Sequence, residues 1–113
     1  MPQLQEYIFP SCDREHDIYV RKWLPEGQPR GVVQIEHGVL EYIQRYDDFM
    51  KFLAMHGFAA VGDDHLGHGR TARDETELGY FGASNGWSMV VGDIHHLHRQ
   101  LKEEFPEMPH FLF

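Results

Sequence analysis

The sequence predicts an α/β fold: an antiparallel strand pair, followed by strand, helix, strand, helix and strand, with the later strands parallel. Three observations carry this prediction. Two β-favouring runs open the chain, the apolar residues then switch twice from strand spacing to helix spacing, and the chain closes on a fresh apolar run.

Taken in order, Glu6 to Phe9 and Asp17 to Leu24 are the two opening runs, with polar Ser11 to His16 between them and Pro25-Glu26-Gly27 closing the second. Gly31-Val32-Val33-Gln34-Ile35-Glu36 is β-branched and mostly apolar, which fits a more buried strand, and it stops at His37-Gly38. From Arg45 the period changes. Tyr46, Phe49, Met50 and Leu53 fall on one helical stripe, and Gly57 supplies a stop. Phe58-Ala59-Ala60-Val61 has strand length, and the glycine-rich residues from Gly62 to Gly69 fit neither regular element. A polar stretch from Arg70 to Gly86 reads as a long loop. After it Trp87, Val90, Val91, Ile94, Leu97, Leu101 and Phe105 keep helical spacing, with Asn85 placed to cap the start and Pro106 to stop the end. Met108 to Phe113 begins a last apolar strand that no turn or cap closes, so residues 1–113 read as one incomplete domain.

Composition narrows the function classes. With 42% hydrophobic and 13% aromatic residues the chain is globular rather than disordered. Its formal charge of −8, with no basic run longer than Arg21-Lys22, repels a phosphate backbone and excludes nucleic acid as the expected partner. The single cysteine, Cys12, has no internal partner for a disulfide, and the sequence shows neither a secretory leader nor a membrane span. A cytoplasmic location is expected.

The chemistry concentrates at strand ends. Glycine after the buried strand lets the chain turn sharply at His37-Gly38 and aims the next backbone N–H, that of Val39, outward. Alone, His-Gly is an ordinary turn. It is joined by Glu41 and Arg45-Tyr46, then by Asp64-His65-Leu66-Gly67-His68-Gly69, then by Phe105-Pro106 and Pro109 ahead of the terminal apolar run.

In that order these segments resemble the monoacylglycerol lipase and lysophospholipase group of the α/β-hydrolase superfamily, with its HGxxEhxxRY stretch, DHxGHG loop and FP…P-apolar run. The resemblance extends from about Tyr19 to Phe113, and it implies the N-terminal part of an α/β-hydrolase sheet. In that family the residues after the position of Phe113 form the G-x-S-x-G elbow that holds a catalytic serine, with the acidic and histidine members of the triad later still. The resemblance implies that Val39 supplies one N–H of the oxyanion hole, and that Glu41 and Arg45 lie near the polar end of the substrate pocket. Val39 stands where a small Ala or Gly is common, which narrows that pocket. The substrates implied are monoacylglycerol- or lysophospholipid-like esters, hydrolysed without a cofactor, and the 113-residue chain alone is expected to be inactive. An aminopeptidase, epoxide or haloalkane enzyme of the same superfamily is the alternative.

Blander roles stand beside these. Glu41 and Arg45, four residues apart, also suit a surface ion pair at a helix start, and Tyr46 lies on an apolar stripe that favours core packing. Nine histidines invite a metal reading, with His65 and His68 three apart and His95 and His98 likewise. Spacing on a loop fixes no geometry, however, and the helical set spreads over more than one face, so no metal is predicted. His37, Gly38, Asp64, His65, Gly67, His68 and Gly69 are read as the scaffold of the active-site loops. Ser11, Ser84 and Ser88 lack the strand-turn-helix context of a nucleophile. A non-catalytic binding module is the remaining reading; it requires a partner or a second copy to cover the apolar strand 110–113.

Overall fold

The computed structural model describes residues 1–38, 41–66, 68–72 and 86–113, with the backbone alone for Gly86 and Trp87. Its strands are β1 (Gln3–Pro10), β2 (Asp17–Leu24), β3 (Gly31–Ile35), β4 (Phe58–Asp63) and β5 (His110–Leu112). The helices are α1 (Asp47–Met55), entered through a 3-10 turn at Ile43–Tyr46, and α2 (Gly86–Glu104). A second 3-10 turn covers Gly69–Thr71.

One five-stranded sheet runs in the order β1-β2-β4-β3-β5. β1 and β2 pair antiparallel, β2 and β4 antiparallel, and β3 lies parallel to both β4 and β5. The predicted mixture of an antiparallel pair and a parallel part is therefore the observed one. β1 starts at Gln3, ahead of the predicted Glu6, because its pairing with β2 extends to Gln3↔Leu24 although the side chains there are exposed. β4 outruns its apolar residues for the same reason: Gly62 and Asp63 pair with Arg21 and Val20.

Strand alternation sorts side chains onto two faces, and one helix covers each. On one face Phe9, Ile18, Val20, Val32, Ala59 and Val61 pack with Val90, Leu97 and Leu101 of α2. On the other, Tyr19, Ile35 and Ala60 pack with Ile43 and with Met50 of α1, flanked by Trp23, Tyr46 and Leu53. Two stripe residues depart from prediction. Phe49 is 37% exposed, its ring 5.2 Å from Phe113, and Ala54 takes the buried place beside Met50. Val91 is exposed where α2 turns from the sheet, and with Ile94, His98, Phe111 and Leu112 it lines an apolar groove of about 320 Å³. Asn85 and the loop residues 73–85 lie outside the described residues, as does the Trp87 side chain.

Polar anchors fix the helices to the sheet. Arg21, buried on the α1 face, donates from Nε to Asp47 Oδ1 at 2.6 Å, and Trp23 Nε1 donates to the same oxygen at 2.7 Å. Lys22 crosses the α2 face to Glu104 at 2.6 Å. At the hairpin between β1 and β2, Asp93 of α2 accepts from Ser11 Oγ at 2.7 Å and from the Cys12 amide at 2.8 Å. Ser11 is thereby consumed as a structural group. No helix among the described residues is long and apolar enough to cross a membrane.

Candidate active site

The carboxyl ends of parallel β3 and β4 converge, the place where open α/β sheets hold their ligands. β3 leads into His37-Gly38, and the Glu41 carboxylate folds back to accept the Gly38 N–H at 2.6 Å and the Tyr46 hydroxyl at 2.8 Å. A Cβ on residue 38 would lie 2.8 Å from Glu41 Oε1, so this close clamp requires glycine. Its hydrogen bonds hold the Glu41 carboxyl below the ordinary carboxylate range, the Gly38 amide contributing most and Tyr46 next.

His37 is locked in one tautomer. Its Nε2 accepts the His65 amide at 3.0 Å, so Nδ1 carries the proton and donates to the Gly38 carbonyl at 2.8 Å. Burial, reinforced by the neighbouring His65, pushes the His37 imidazole down to about 4, which matches a neutral ring. The strand-end turn is thus tied to the loop after β4 through a bond from the His65 amide to the His37 ring.

That loop is organised by Asp64. One of its oxygens accepts the Ile43 amide at 2.7 Å and the other the Arg70 amide at 2.9 Å. Its carbonyl accepts from Thr71 Oγ1 at 2.6 Å, while Thr71 Oγ1 accepts the Tyr19 amide at 3.0 Å. Gly69 has φ +47° and approaches the Asp64 carboxylate so closely that a Cβ would clash, so both backbone freedom and absence of a side chain are needed there. His68 is buried and its Nδ1 lies 2.8 Å from the Leu66 carbonyl.

Beneath these turns sits a group that sequence reasoning passed over. Glu36, Asp63 and His65 come together on the α2 side, with His65 Nε2 3.5 Å from Glu36 and His65 Nδ1 3.6 Å from Asp63. Burial and the adjacent Asp63 push the Glu36 carboxyl well above its ordinary range. Burial opposes charge on His65, but the adjacent Asp63 carboxylate, the His37 contact and the charge of Asp64 together outweigh it and raise the imidazole. The available signal was an acidic residue at the end of each of two apolar strands, a position where apolar residues are the norm.

The remaining site residues divide clearly. Glu41 and Arg45 approach only to 3.8 Å, with Arg45 more than half exposed. Tyr46 both packs against the α1-side core and donates to Glu41, a hydroxyl role that its place on the apolar stripe concealed. Val39 and Gly67 lie outside the described residues. The five residues Gly82-Ala83-Ser84-Asn85-Gly86 also spell G-x-S-x-G. Leu78-Gly79-Tyr80-Phe81 lie directly ahead of them, after the acidic Asp74-Glu75-Thr76-Glu77, and residues 73–85 fall outside the described set.

A mixed sheet with β3 parallel to β4 and β5, helices on both faces and a histidine-glycine turn at the carboxyl end of β3 is the arrangement of an α/β-hydrolase sheet. Residues 27–113 match the family described as serine aminopeptidase, S33, and the chain belongs to that family. It is 29% identical over 102 residues to a monoglyceride lipase from Rattus norvegicus, covering 84% of this chain and 29% of that protein. It is 30% identical over 95 residues to a monoglyceride lipase homolog of Monkeypox virus, covering 84% of this chain and 32% of that one. Among solved structures, a thermostable carboxyl esterase from Bacillus coagulans in complex with glycerol superposes with a TM-score of 0.88 at 33% identity, over 97% of this chain and 35% of the esterase. The chain spans about a third of the length of these relatives.

Proposed function

We propose that this chain forms the oxyanion and head-group side of a serine ester hydrolase acting on monoacylglycerol- or lysophospholipid-like esters. The observation that carries the reading is the clamped turn at the carboxyl edge of β3, where Glu41 fixes the Gly38 amide and His37 is bonded to the loop after β4. Anchoring of Gly38 by Glu41 suits presentation of the Val39 amide to a developing oxyanion, since a preorganised donor lowers the barrier without reorganising during the reaction, by about 2.7–4 kcal/mol for one donor. The similarity to monoglyceride lipases, and to an esterase solved with glycerol, supports a glycerol ester as substrate. Arg45, exposed and only loosely held by Glu41, retains N–H donors for the hydroxyls of such a head group.

The second half of the proposal is that the 113 residues by themselves do not hydrolyse esters. The test is hydrolysis of a medium-chain monoacylglycerol and of a simple aryl ester by the purified chain, with Ser84→Ala alongside. No turnover above the buffer rate is expected; turnover that Ser84→Ala abolishes would place the nucleophile inside this chain and overturn the proposal. In a longer protein containing these residues, Arg45→Ala should raise KM for the glycerol ester more than for the aryl ester. An equal effect on both substrates would make Arg45 structural.

A further inference from the structure

We infer that Glu36, Asp63 and His65 form a binding site for one divalent transition-metal cation of the zinc type. One ligand atom from each residue lies within 4.8 Å of the other two. Tetrahedral zinc with bonds of about 2.0–2.2 Å sets its ligand atoms about 3.3–3.6 Å apart, so binding draws the three side chains inward from their present spacing. The cation takes one oxygen from each carboxylate and one ring nitrogen, leaving the fourth position for water or another donor.

Two further observations point to a ligand. Asp63 is fully buried, and neither of its carboxylate oxygens has a hydrogen-bond partner among the described residues; Glu36 Oε2 and His65 Nδ1 are in the same condition. No Lys or Arg among the described residues pairs with Glu36 or Asp63. Buried polar atoms left without partners are costly, and buried carboxylates are retained where they are paired or bound to metal. A dication balances the two carboxylates and engages the unpartnered atoms together. A mixed nitrogen and oxygen donor set suits zinc and its neighbours better than calcium or magnesium, which take oxygen alone.

The other acidic and histidine group, Asp13, Glu15 and His16, has a simpler explanation. Asp13 Oδ1 accepts the amides of Glu15 and His16 at 2.8 and 3.0 Å, and Oδ2 meets His16 Nδ1 at 2.6 Å, so that carboxylate is already engaged within its turn.

The test is titration of the metal-free 113-residue chain with Co²⁺, read by visible d–d absorption, followed by displacement with Zn²⁺. One equivalent is expected to bind with the intense bands of four-coordinate cobalt. Asp63→Asn and Glu36→Gln, near-isosteric and checked for folding by circular dichroism, should each weaken binding by about tenfold or more. Asp13→Asn and the double variant His95→Ala with His98→Ala should bind as the parent does. Should either carboxamide variant fail to fold, the ¹⁵N shifts of the parent's histidine rings decide, metal moving His65 and leaving His95 and His98 in place. Absence of stoichiometric binding, binding indifferent to Asp63→Asn and Glu36→Gln, or binding lost in the surface controls would overturn the inference.

Discussion

Glu41 Oε1 accepts the Gly38 amide at 2.6 Å, joining the turn after β3 to the start of the first helical segment. Either partner can break the clamp, Glu41 by losing its carboxylate and Gly38 by gaining a Cβ that expels it. Each of Glu41→Ala and Gly38→Ala should lower stability by losing this charge-assisted hydrogen bond. The double variant should cost less than the sum, because the same contact is lost once. Urea unfolding of the four proteins checks this; strict additivity would show that the two residues act independently.

Arg21 and Asp47 tie the sheet to α1 in the same manner. Burial opposes ionisation of Asp47, but hydrogen bonds from Arg21 and Trp23, with the charges of Arg21 and Lys51, win and hold the carboxyl below its ordinary value of 3.8. The folded state therefore gains stability from this group above that value, and loses it as pH falls further through the lowered one. Asp47→Asn should reduce stability at pH 7 by about 2 kcal/mol and leave a shallower acid limb. Thermal unfolding between pH 7 and pH 2 measures both effects.

Cys12 should be a sluggish nucleophile although it reaches the surface. Partial burial and the charge of Asp93 push its thiol up to about 11, and its Sγ lies 3.1 Å from the Met89 carbonyl. At pH 8 its thiolate fraction is then about a hundredfold below that of a thiol with the unperturbed value of 9.0. Alkylation by iodoacetamide should be correspondingly slow and should accelerate in urea. A rate equal to that of a free thiol would contradict the placement of Cys12 beside Asp93.

Asp64 should be the most sensitive residue of the loop after β4. Asp64→Ala strips acceptors from the Ile43 and Arg70 amides together, and leaving buried donors unmet costs about 1–3 kcal/mol each. Amide hydrogen exchange should speed up at Ile43 and Arg70 while Val32 and Val61 of the sheet keep their protection. Uniform acceleration across the sheet would indicate global destabilisation instead.

The strand and helix sequence was legible because it is written in periods of two and 3.6, which Val32-Val33-Gln34-Ile35 and the stripe Val90, Leu97, Leu101 both keep. Extensions such as Gln3 to Gln5 and Gly62-Asp63 were not, since main-chain pairing with β2 holds them and leaves no mark in side-chain polarity. At the site, local motifs named His37, Gly38, Asp64 and Gly69. The meeting of Glu36 with Asp63 depends on β3 and β4 lying side by side in parallel, a relation between residues 27 positions apart that no local pattern encodes. The second partner of Tyr46 was hidden for a similar reason: an amphipathic side chain on an apolar stripe hides its hydroxyl.

The strand order carries a consequence for how the chain assembles. Hairpin β1-β2 and strand β3 share no main-chain bond of their own, and β4 is the plank laid between them. A nascent chain that has emerged only as far as His56 therefore holds two unconnected pieces of sheet. Joining them waits on the six residues from Phe58 to Asp63, which pair with β2 on one side and β3 on the other.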